Sequence, residues 1–99
     1  MKRFVVGTSR TTPEQDAKFL QLVRARWPHV GWWHQVTETW LFVDLLGTAT
    51  AAALRDVAME AFPTINLMVI EIKGEATWAG FGPQNTMFPW MNETWDRVR

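Results

Sequence analysis

The chain has no cysteine, no tyrosine, no net charge and no long apolar run. The lack of cysteine excludes a disulfide scaffold, a Cys-ligated zinc or iron–sulfur site and thiol catalysis. It fits a reducing compartment, so the cytoplasm is the expected location. No apolar stretch approaches the roughly 18 residues a membrane helix needs, and Met1-Lys2-Arg3-Phe4 leads into no signal-peptide core. Ten basic and ten acidic side chains cancel, which argues against bulk electrostatic binding of nucleic acid. With 99 residues, one hydrophobic core can form without staples and two cannot.

What the chain does have is aromatic mass: seven tryptophans and six phenylalanines within a hydrophobic fraction of 47%. That fraction belongs to a folded protein. Trp27, Trp32, Trp33 and Trp40 fall within fourteen residues, and Trp78, Trp90 and Trp95 lie in the C-terminal tail. Charge is uneven beneath the zero sum. Residues 1–30 carry a balance of +4, residues 31–96 one of −6, and Arg97 and Arg99 restore neutrality.

Local patterns predict the elements. Arg3-Phe4-Val5-Val6-Gly7-Thr8 has strand composition closed by turn formers. Thr12-Pro13-Glu14-Gln15 opens a helix, with Thr12 as cap, Pro13 at the first helical position and Gln15 reaching back as a capping box. Phe19, Leu20, Val23 and Trp27 follow at helical spacing until Pro28. Trp32–Val36 and Thr39–Asp44 read as a hairpin about Thr37-Glu38. Thr48 or Thr50 caps a second helix bearing Leu54, Val57, Ala58, Ala61 and Phe62 on one face. Asn66–Lys73 is the last strand, ended by Gly74. The order β-α-β-β-α-β predicts an α+β fold of the ferredoxin-like, split βαβ kind. Two right-handed crossovers then place both helices on one face of a four-stranded antiparallel sheet. Residues 1–74 form this domain, and residues 75–99 an aromatic extension that folds back onto it.

With Thr37-Glu38 as the turn, alternation puts Trp33, Gln35, Trp40 and Phe42 on one face of the hairpin. Trp32, His34, Leu41 and Val43 then share the other. The aliphatic set Leu41, Val43, Met68, Ile70 and Ile72 suits the helix side. The open face would carry Trp33, Trp40, Phe42, Leu67 and Val69, with Gln35, Asp44 and Glu71 among them. Such a patch requires a cover. The tail, a second copy of the chain and a foreign partner are the three choices.

No motif carries chemistry. His29 and His34 fit no metal-ligand spacing. His34 with Glu38, or Asp44 with Glu71, could form acid–base pairs, but a satisfied strand histidine and edge-of-sheet acids paired with Arg3 or Arg10 are the simpler expectation. Gly80-Phe81-Gly82-Pro83-Gln84-Asn85 is the most loop-like stretch and matches no phosphate-binding motif. No catalytic residue, cofactor or metal is expected. The topology resembles RNA-recognition modules, yet Thr39–Asp44 lacks the basic residue and glycine of their aromatic strand. In size and topology, residues 1–73 are also similar to the dimeric α+β barrel group, and topology alone transmits no function.

The expected function is that of a small non-catalytic binding protein, a regulator or inhibitor such as a virus-encoded accessory protein. It would act through Trp33, Gln35, Trp40, Phe42, Trp78, Phe81 and Trp90 on a protein partner or in self-association, as a homodimer. Nucleic acid and membrane are not expected partners. The alternative is a binder of a nucleotide-like or planar metabolite, or a small enzyme, with an aromatic pocket between sheet and tail. His34, Glu38 and Asp44 would supply its polar contacts.

Overall fold

In the computed structural model, residues 1–82 and 88–98 are described. Of the predicted glycine-rich loop, Pro83, Gln84 and Asn85 therefore lie outside the described residues. The elements are β1 (Lys2–Thr8), α1 (Pro13–Arg26), β2 (Val30–Val36), β3 (Thr39–Asp44), α2 (Ala51–Ala61), β4 (Leu67–Ile72), α3 (Pro89–Glu93) and a closing 3₁₀ turn at Trp95–Arg97. This is an α+β chain with one four-stranded sheet in the order β2-β3-β1-β4. Every neighbouring pair of strands is antiparallel. Each of the crossovers through α1 and α2 thus joins two parallel strands with a third strand between them.

Both long helices start as their sequences dictate. Thr12 accepts from the Gln15 amide while the Gln15 side chain accepts from the Thr12 amide, completing the capping box. Thr50, rather than Thr48, caps α2 by accepting from the Ala53 amide. The tail, which has no sequence periodicity, contains the one short helix α3 with Pro89 in its first turn.

The hairpin turn falls at Thr37-Glu38, with Val36 opposite Thr39. Beyond that pair the expected register fails. Trp33 faces Leu41 and Trp32 faces Phe42, so His34 and Gln35 of β2 together oppose the single residue Trp40. This extra residue is a β-bulge, and it slips the rest of β2 by one position.

The face assignment predicted from alternation is reversed for β3 and β4, while the bulge leaves Trp33 on the outer face and Trp32 on the helix side, as expected. Phe4, Val6, Trp40 and Phe42 form the core beneath the helices with Phe19 and Val23 of α1 and Leu54, Val57, Ala58 and Ala61 of α2, and Leu67 and Val69 pack against it. Phe19 is its hub, edge-on to Trp40 at 5.2 Å and to Phe42 at 5.7 Å. Residue size explains the reversal. The buried side of α2 is mostly small, so the sheet must supply the bulk that fills the space beneath it. Leu41 and Val43, expected under the helices, lie on the outer face instead.

That outer face is partly covered by the tail. Met91, Trp95 and Val98 bury against Val43, with Val5, Leu41, Ile72, Trp78, Phe88 and Trp90 around them. Gly31 permits the approach. A Cβ there would stand 3.3 Å from Thr94 Cγ2 and 3.7 Å from the Trp90 ring, the close contact for which strand glycines are kept.

Candidate functional site

The outer face can be laid out in rows from the strand register. Gly31, Val43, Arg3 and Ile72 form the first row; Trp33, Leu41, Val5 and Ile70 the second; Thr39, Gly7 and Met68 the third. The tail lies over Val43 and its neighbours in the first row and reaches Leu41 and Val5 in the second. Beyond it, Met68 is 65% and Ile70 48% exposed. Beside Met68 on β1, Gly7 has open space where a Cβ would stand. At the boundary between tail and sheet lies a mainly apolar cavity of about 250 Å³ lined by Trp33, Val36, Leu41, Trp78, Phe81 and Phe88, among others. Trp78 is held there by stacking on Phe88 at 5.7 Å and by donating its indole N–H to Asp96 at 3.0 Å. Phe81, at 95% exposure, stands at the rim with almost all its surface in water.

The residues expected to form one binding surface therefore separate into two sets. Trp33, Trp78 and Phe81 come together around the cavity, and Trp90 lies in the tail close to Trp95, their rings 6.2 Å apart. Gln35 is exposed on the bulged strand. Trp40 and Phe42 are on the opposite side of the sheet, 2% and 0% exposed, and can touch no partner without unfolding. The exposed residues Met68, Ile70 and Val36 were not expected to belong to the surface. The signal for Met68 and Ile70 was the alternation of β4, which has two solutions until the helix side is known.

The expected polar contacts also resolve. His34 does not meet Glu38. Its Nδ1 is 2.9 Å from the Thr39 carbonyl and its Nε2 3.4 Å from Asp16 of α1. The ring stacks on Trp40 at 3.7 Å and 5°. Asp16 also accepts from the Thr11 hydroxyl at 2.7 Å. The group ties the start of α1 to the hairpin. Glu38, exposed at the hairpin tip, shares a polar cleft of about 280 Å³ with Arg10, Thr37 and Asp16.

Asp44 is 2% exposed, and its carboxylate accepts from the Leu46 amide at 3.1 Å and the Ala49 amide at 2.6 Å. It orders the loop into α2 and is not free for acid–base work. Glu71 stands on β4, with β1 between it and the strand of Asp44, so the two acids do not share a site. Nor does either pair with Arg3, whose Nη2 donates to the carbonyl of Gly74.

Among the described residues, no three His, Asp or Glu side chains are grouped to hold a metal, and no helix is long and apolar enough to cross a membrane. No protein-family model, curated protein or solved structure matches this chain.

Proposed function

We propose that this chain is a small non-catalytic binding protein that presents the outer face of its sheet to a protein surface, a second copy of itself in the simplest case. One observation carries the reading. The tail reaches β4 only at Ile72, leaving Met68 and Ile70 exposed beside Gly7 and Val5, with Val36 on β2 and Phe81 also exposed. Single exposed apolar residues are ordinary, but several in register on one sheet face form the kind of patch that marks an interface. The role of a regulator or inhibitor in the cytoplasm is consistent with a cysteine-free chain of 99 residues. The reading takes residues 1–74 as a ferredoxin-like domain and residues 75–99 as an extension packed on it. The element order and the two split crossovers support that division.

The test compares the full chain with Met68→Asp/Ile70→Asp. Sedimentation from micromolar to near-millimolar concentration reads self-association, and affinity capture from the source cell reads a foreign partner. Either interaction is expected in the parent and lost in the double variant, with the fold unchanged. A parent that stays monomeric and captures nothing the variant loses would remove the proposal.

The cavity between sheet and tail favours a second reading, a planar small molecule held among Trp33, Trp78 and Phe88. A saturable change in tryptophan fluorescence on titration with a nucleotide panel would select it.

A further inference from the structure

Arg3 is 2% exposed, and among the described residues no carboxylate lies within ion-pair distance of it. Its guanidinium has three identified relations with its surroundings. Nη2 donates to the Gly74 carbonyl, the group lies 5.3 Å over the Trp95 ring, and Nε is buried with no hydrogen-bond partner. A buried cation satisfied only by a carbonyl and an aromatic face is under-compensated, and an unpaired buried N–H adds to the cost. Neither is needed for the sheet, since the outer position of β1 that Arg3 occupies would accept an aliphatic side chain like its neighbours Val43 and Ile72.

Arg3 also lines a cleft of about 340 Å³, together with Glu75, Ala76, Thr77, Asp96 and Val98. None of its lining residues belongs to the apolar cavity. Gly74, at φ 73°, turns the chain out of β4, and Asp96 is held by the indole N–H of Trp78. The cleft is thus floored by a buried cation with no anion among the described residues within ion-pair distance, and flanked by two carboxylates, both on exposed residues.

That charge pattern is selective. A polyanion such as phosphate would meet two carboxylates for one guanidinium, and a bare cation would meet Arg3. A ligand carrying both signs satisfies both. We propose that the cleft binds a small zwitterion of the α-amino-acid class, its carboxylate on Arg3 and its ammonium toward Glu75 and Asp96. Arginine is suited to the carboxylate by its forked N–H geometry, and the volume accommodates a ligand of that size. The site is independent of the outer-face interface: either can fail without the other.

The full ¹⁵N-labelled chain is titrated with L-alanine, with acetate and with ethylammonium chloride, following the Arg3 Nε–H and the indole N–H signals of Trp78 and Trp95. L-alanine is expected to shift all three saturably, at least about ten-fold tighter than either single-charge probe. Arg3→Lys, which keeps the charge and removes the fork, is expected to weaken L-alanine binding about ten-fold. Because Arg3 also holds Gly74, Glu75→Gln/Asp96→Asn supplies the second arm: it should erase the preference for L-alanine over acetate while the spectrum of the sheet is unchanged. No saturable shift with L-alanine, or acetate or ethylammonium binding as tightly, overturns the proposal.

Discussion

The two faces of one sheet are packed by different means. On the helix side, Phe4, Phe19, Phe42 and Phe62 are each buried to 1% exposure or less; Phe19 meets Trp40 edge-on, Phe42 stacks on Trp40, and Phe62 is tilted against Phe19. On the outer side the strands are aliphatic apart from Trp33 and Arg3, and the other aromatics arrive from the tail, burying Met91, Trp95 and Val98 and leaving Trp78, Phe88 and Trp90 half-covered. The first face is closed by two helices of fourteen and eleven residues, the second by a five-residue helix and a single 3₁₀ turn. A complete cover makes a core. An incomplete one leaves a cavity, an exposed edge and an under-compensated arginine, which are the features available for function.

Substitutions can break this contrast. Trp40→Ala removes the largest fully buried side chain of the helix-side core and should cost about 3–5 kcal/mol, a large share of the stability of a domain of this size, as urea denaturation would show. Trp40→Phe should cost less, because it also deletes an indole N–H that has no hydrogen-bond partner. Trp95→Ala should cost about 2 kcal/mol and act on one face only. Amides around the tail would lose hydrogen-exchange protection while those of α1 and α2 keep theirs. If Trp95→Ala abolished all protection together, the two faces would be one cooperative unit and the contrast would fail.

Gly31→Val should displace the tail through contact with Thr94 and Trp90 at about 1–2 kcal/mol. Limited proteolysis between Gly74 and Phe88 would read that displacement. The smallest effect belongs to Met68→Asp/Ile70→Asp, each change within about 0.5 kcal/mol in thermal stability, because both side chains already stand in water. A large loss there would mean that a partner copy covers β4 even in dilute solution.

Much of the fold was legible residue by residue. Thr12-Pro13-Glu14-Gln15 specifies its helix start because cap, proline and glutamine act within one turn. Thr39–Asp44 was read to its boundaries, as was the turn before it. The faces were not legible, because alternation in a strand whose two sides are both apolar has two solutions. A single bulge at His34-Gln35 then shifts the partners of Trp32 and Trp33 by one residue along β3. A cue was present in the alanines at 51, 52, 53, 58 and 61: a helix so poor in bulk calls for large residues opposite it. Arg3 gave no such cue. Its burial depends on Gly74 and Trp95, which are remote in the chain.

By itself the sequence determined the order and limits of the main elements, the absence of thiol chemistry and the need to cover aromatic surface. These follow from periodicity, capping and composition, which act over a few residues. The tertiary structure decided which side of the sheet is core, how far the tail reaches across the other, and which buried charge has no counterion among the described residues. Those outcomes depend on volumes and charges matched between segments far apart in the chain, and no local pattern contains that match.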